Sequence, residues 1–161
     1  MTRWLLRIVP LLLLSCSNEQ PTVPKPAEPA WFLDEAADRG VVFTLQTTLA
    51  PTPQLPEIVA GGAAAFDYDN DGFIDLYLIQ AAGGANVLLH NTGDGTFENV
   101  SAQSGAADQG FGMGVATADI NGDGFVDLYV TNVGANVLLL NNGDGTFDDI
   151  TTTAGVGHDG F

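Results

Sequence analysis

Asp67, Asp69, Asp71 and Asp75 crowd four carboxylates into the nine residues DYDNDGFID, and DINGDGFVD repeats the spacing with Asp119, Asn121, Asp123 and Asp127. Like charges packed this closely repel unless a positive charge sits among them. The chain supplies none nearby, because no lysine or arginine follows Arg39. Oxygens that alternate along a short loop, with a glycine at the bend (Gly72, Gly124) and a further acid beyond it, are how a polypeptide wraps a hard cation. The backbone carbonyls of Phe73 and Phe125 fall where such a loop adds a main-chain ligand. Calcium, which takes roughly six to eight oxygens, suits this donor set better than magnesium, which keeps more of its water.

Something must hold each loop open at both ends, and the surrounding sequence repeats with the loops. NVLLHNTGDGTFENVSAQSG from Asn86 aligns with NVLLLNNGDGTFDDITTTAG from Asn136 at an offset of 50 residues, while the aspartate loops are offset by 52. The difference lies in a loop tip, where LYLIQAAGGAN is two residues longer than LYVTNVGAN. A third, partial echo precedes both copies: Phe32, Phe97 and Phe147 each stand eight residues before a glycine, at Gly40, Gly105 and Gly155. Within a copy, GGAAAF enters the aspartate loop, IDLYLI leaves it with Ile74, Leu76 and Leu78 on one face, and NVLLHN and TFENV follow glycine-containing turns. Four short strands in about 50 residues predict an all-β fold of β-propeller blades, each a four-stranded antiparallel meander. Apart from a turn or two near DEAADR, nothing after Ala30 sustains a helical pattern long enough to cover a parallel sheet.

Composition excludes some partners. With 20 acidic against 4 basic residues among 161, and a formal charge of −16, the chain attracts cations and has no means of neutralising a phosphate backbone, so nucleic acid is not an expected partner. The start of the chain reads differently from the rest. MTRWLLR, then an apolar run too short to span a bilayer, then LLSC resemble a lipoprotein signal over residues 1–15 with Cys16 as the lipidated first residue of the mature protein. Cys16 is the only cysteine and so has no partner for an internal disulfide. Residues 16–30 carry Pro21, Pro24, Pro26 and Pro29 in a polar setting and read as a semi-rigid tether. Ser17, in place of an aspartate, favours the outer over the inner membrane of a bacterial envelope under this resemblance.

An EF-hand or dockerin loop would need an acid at its twelfth position, where Leu78 and Val130 stand, and the EF-hand also needs flanking helices. AAFDYDNDGFIDLYLI, ATADINGDGFVDLYVTN and the NxGDGTF turns instead resemble the FG-GAP or VCBS type of calcium-binding propeller repeat found in integrin alpha subunits. FLDEAADRGVVF followed by LPEIVAGGAAAFDYDNDGFIDLYLI resembles the amino-terminal part of bacterial relatives of cartilage acidic protein, whose longer members end in an ASPIC/UnbV domain. Covering roughly residues 31–161, the resemblance implies a seven-bladed propeller, of which two repeats and the start of another are present. It also implies calcium in the blade loops and a surface location, with binding or adhesion to a protein or glycan as the role.

Other residues carry less. Asp94 and Asp144, in NTGDGTF and NNGDGTF, read as acids of tight hairpins rather than ion ligands. His90 and His158 do not recur between copies and read as blade-surface histidines, and the recurring Tyr77, Tyr129, Phe111 and Phe161 read as packing between blades. No nucleophile, base and orienting partner stand together in a recognisable motif, so no enzyme is expected. The alternative is the non-catalytic portion of a calcium-dependent polysaccharide lyase or hydrolase whose active site lies in downstream sequence. The two part on that sequence: further DxDxDG repeats favour the binding module.

Overall fold

The computed structural model describes residues 32–47, 51, 55–82 and 84–158; the leader, the tether with Cys16, and Phe161 lie outside them. From Asp34 onward the chain forms one unit built of two four-stranded sheets. The first contains β1 (Gly62–Phe66), β2 (Asp75–Ile79), β3 (Val87–Asn91) and β4 (Phe97–Asn99), paired in sequence order. The second contains β5 (Phe111–Ala118), β6 (Asp127–Val133), β7 (Val137–Asn141) and β8 (Phe147–Asp149), again in order. All pairings are antiparallel, so each sheet is a meander. Register repeats with sequence: Tyr77 faces Leu88 across β2 and β3, as Tyr129 faces Leu138 across β6 and β7. The aspartate loops are the β1–β2 and β5–β6 connections, bounded by the pairs Phe66 with Asp75 and Ala118 with Asp127.

Among the described residues three short helices complete the unit: α1 (Leu55–Val59) ahead of β1, α2 (Ser101–Ser104) after β4 and α3 (Thr151–Ala154) after β8. The echo of Gly40, Gly105 and Gly155 has a structural cause. All three have positive φ, at 80°, 75° and 69°. A Cβ on Gly40 would stand 2.4 Å from the carbonyl oxygen of Phe97, and one on Gly105 would stand 2.6 Å from that of Phe147. The turns at Gly40 and Gly105 are thus pressed against the last strand of the sheet that follows, where the Phe97 amide also donates to the Arg39 carbonyl at 2.8 Å. Only glycine meets both the dihedral and the spacing.

The core lies between the sheets. Ile74, Leu76 and Leu78 do share a face, but Ile74 is exposed and the two leucines are only half-buried; the covered face of β2 is Asp75, Tyr77 and Ile79. In β6 the Leu76-type positions, Leu128 and Val130, are the ones fully buried. Tyr77, Ile79 and Leu88 of the first sheet join Leu128, Val130, Leu139 and Phe147 of the second in one cluster. Alternation alone cannot say which face of a strand is covered when a sheet can pack on both sides; the neighbouring sheet decides.

Candidate functional site

Each aspartate loop is organised by its own side chains. Asp67 accepts hydrogen bonds from the amides of Asp71 (3.1 Å) and Gly72 (2.9 Å), and Asp71 accepts from Phe73 (2.8 Å). The second loop repeats this: Asp119 accepts from Asp123 (3.2 Å), Gly122 (2.7 Å) and Gly124 (2.9 Å), and Asp123 accepts from Phe125 (2.8 Å). Alternate acids bonded to amides further along the loop curl the backbone around their own carboxylates. In the first loop the result is convergence, with one oxygen from each of Asp67, Asp69 and Asp71 lying within 4.8 Å of the others.

Asp75 and Asp127 stand apart from these acids in environment. Each opens the strand that leaves the loop, and each is essentially sealed from solvent. Asp75 accepts from the amides of Tyr68 (3.0 Å) and Asn91 (2.7 Å), and Asp127 from those of Ile120 (2.9 Å) and Asn141 (2.7 Å). One carboxylate therefore fastens the near side of the loop to the following hairpin. Burial pushes the Asp75 carboxyl above its ordinary range, against the lowering effect of the two amides. In position, Asp75 clusters with Asp69 and His90.

His90 is the clearest departure from the sequence reading. Its side chain is mostly buried, with Nδ1 3.4 Å from both Asp69 Oδ2 and Asp75 Oδ1 and its ring edge-on to Tyr68 at 5.8 Å. Nδ1 is enclosed and makes no hydrogen bond within the protein. The first loop thus has an imidazole beneath it where the second repeat has Leu140. Tyr68, stacked on Phe147 of the other sheet at 6.2 Å, has its phenol pushed up to about 12 by burial and then by the charges of Asp69, Asp75 and Asp71.

Asn91 and Asn141 also escaped the sequence reading, which took NTGDGTF and NNGDGTF simply as turns. Asn91 donates to the Ile74 carbonyl at 3.0 Å and accepts from the Gly93 amide at 3.1 Å, linking the aspartate loop to the hairpin. Asn141 makes the matching bond to Val126 at 3.1 Å and also reaches the Tyr68 carbonyl of the first sheet at 2.8 Å. Recurrence of asparagine at the head of both turns was the available signal. The turns themselves are as expected. Asp94 accepts from Thr96 and Thr92, whose hydroxyls hold its carboxyl below the ordinary range, and Asp144 accepts from Thr146. The glycines beneath Phe73 and Phe125 leave room for their rings, since a Cβ on Gly93 or Gly143 would stand 2.8 or 2.7 Å from ring carbon.

The donors fit a hard cation. Asp67, Asp69 and Asp71 offer oxygen alone, and Arg39, the only lysine or arginine among the described residues, is occupied by Glu35 at 2.6 Å. The second loop is less charged, and there the Asn121 amide donates to Asp123 at 2.8 Å, a contact between loop side chains that Asp69, at the matching position of the first loop, has no donor to make.

Comparison with known proteins follows the same repeat. Cartilage acidic protein 1 of Homo sapiens is 50% identical over 50 residues, covering 30% of this chain and 8% of the human protein. The Mus musculus protein of the same name is 48% identical over 50 residues, with the same 30% and 8% coverage. That of Xenopus tropicalis is 35% identical over 105 residues, which is 62% of this chain and 16% of the frog protein. The chain therefore matches only a small part of the length of these relatives. A family model for the FG-GAP-like repeat matches residues 67–130 and again 119–161, each match beginning on the first aspartate of a loop. Sheet, loop and turn repeat in step with those matches, and the chain belongs to the FG-GAP-like repeat family.

Proposed function

We propose that this chain is a calcium-binding repeat module of an exported, lipid-anchored envelope protein, and that it serves binding or adhesion to a protein or glycan. The observation that carries the reading is the convergence of Asp67, Asp69 and Asp71 oxygens with no lysine or arginine among the described residues free to neutralise them. In the first loop Asp67, Asp69, Asp71, the Phe73 carbonyl and Asp75 would hold the ion. In the second, Asp119, Asn121, Asp123, the Phe125 carbonyl and Asp127 take those parts. The ion supplies positive charge that lets the loop carboxylates sit together, and the loops in turn fix the β1–β2 and β5–β6 corners. Closure of such sheets into a seven-bladed propeller, anchorage through Cys16 and an outer-membrane location belong to the same reading, supported by the repeat family and by the leader sequence.

Calorimetric calcium titration tests it. Ligand charge tunes affinity, so Asp69→Asn should weaken the first site and Asn121→Asp strengthen the second, with both at the weak end of roughly 10⁻⁴ to 10⁻³ M found in extracellular modules. Asp69→Asn should also make the calcium-free protein easier to fold, by relieving repulsion. If neither substitution alters calcium affinity or calcium-dependent melting, the loops are not ion sites.

A further inference from the structure

One residue joins the two aspartate loops. Asn70 Nδ2 donates to the carbonyl of Gly124 at 3.0 Å, across 54 residues of sequence and from one sheet's loop to the other's. Asn70 is also the only non-glycine among the described residues with positive φ, at 61°. Its counterpart in the second loop is Gly122, with φ 79° and nothing near the position a Cβ would take. Glycine satisfies the same backbone there at less strain, so what asparagine adds at position 70 is its side chain.

The bond lands at sensitive points on both sides. Its acceptor belongs to the Gly124–Phe125 peptide unit, whose N–H is held by Asp123 Oδ1 at 2.8 Å. On the donor side, the Asn70–Asp71 peptide unit has its N–H held by Asp67 Oδ1 at 3.1 Å and Asp69 Oδ1 at 3.3 Å. A continuous path thus runs from Asp67 and Asp69, through Asn70, to the peptide that Asp123 grips. A cation held by the first-loop carboxylates would fix the orientation of Asn70 with them. Gly124 would then be held in place for the second loop.

We propose that the two loops are coupled cation sites and that Asn70 is the positioning residue through which occupancy of one raises the affinity of the other. This rests on the calcium reading given above. Linkage makes the effect reciprocal, and a single exposed hydrogen bond limits it to about two- to tenfold.

The test is a cycle on the full chain, with calcium as the probe and the amide NMR signals of Gly72 and Gly124 reporting each loop separately. Asp67→Ala, which disables the first loop, should weaken calcium binding at the second by about two- to tenfold when Asn70 is present. It should leave the second loop unchanged in the Asn70→Gly background, which keeps the backbone conformation and removes the donor. Asp119→Ala should act on the first loop in the same Asn70-dependent way. Asn70→Asp, which tolerates the same backbone but cannot donate, should uncouple the loops as Asn70→Gly does. Equal weakening with and without Asn70, or none in either background, overturns the coupling while leaving calcium binding intact. Calcium shifts at neither amide in the unsubstituted chain overturn both.

Discussion

Asp127 gives both carboxylate oxygens to backbone amides, one in its own loop and one at the start of the following turn. Asp127→Asn keeps the shape but turns one acceptor into a donor facing an amide, which leaves a buried N–H unpaired. The substitution should cost about 1–3 kcal/mol in urea unfolding even without calcium, whereas a purely ion-binding role predicts no loss there. Tyr68 offers a second check at this scale. Its phenol ionises near 12 in the folded chain against 10.0 ordinarily, so between those values the folded state keeps a proton that the unfolded state has lost. Stability must therefore fall as pH rises through that window. Tyr68→Phe should flatten that alkaline loss in melting curves without abolishing it, because the buried Tyr77 phenol is raised in the same direction. An unchanged alkaline slope would mean that Tyr68 is solvated.

Between elements, the glycine echo makes a comparison within one molecule. Alanine at Gly105 or Gly155 takes on the same left-handed backbone strain, on the order of 1–2 kcal/mol. At Gly105 the new methyl also meets the Phe147 carbonyl oxygen, while at Gly155 nothing lies within 4 Å. Gly105→Ala should therefore lower the melting temperature by clearly more than Gly155→Ala, and equal losses would show that the close approach carries no weight. The same asymmetry appears on the sheet faces. Tyr68 is covered by Phe147, but its counterpart Ile120 is 51% exposed beside Ala116, Ala118 and Leu138. The outer face of the second sheet presents the surface that the first sheet has covered. This is the face against which a further blade would pack in the proposed propeller.

For the molecule as a whole, charge dominates. A formal charge of −16 opposes compaction through self-repulsion, which any salt screens but only a site-bound cation relieves locally. Calcium chloride should raise the melting temperature more than sodium chloride at matched ionic strength, and equal shifts would reduce the effect to screening. Anchorage is tested separately: metabolic labelling with palmitate should mark the protein, and Cys16→Ser should abolish both the label and partitioning into detergent. Unchanged partitioning of that variant would remove the anchor from the proposal.

The repeat, the four-strand grammar of each copy and the position of the aspartate loops are all legible along the chain. These follow from spacing along one chain: alternation fixes strands, glycine and asparagine fix turns, and recurrence fixes the unit. The family could be reached from the same motifs. Tertiary structure alone decided what depends on residues distant in sequence. Whether Tyr77 or Leu76 faces the covered side of β2 depends on the sheet packed against it, and alternation is the same either way. His90 looked like an isolated residue because its neighbours, Asp69 and Asp75, come from another hairpin connection. Nothing along the sequence marks Asn70, since its partner Gly124 lies in the next repeat. Periodicity records what a residue is next to along its own strand; the pairing of β3 with β2 brings the histidine under the loop, and the packing of one sheet on the other carries the asparagine across to its neighbour.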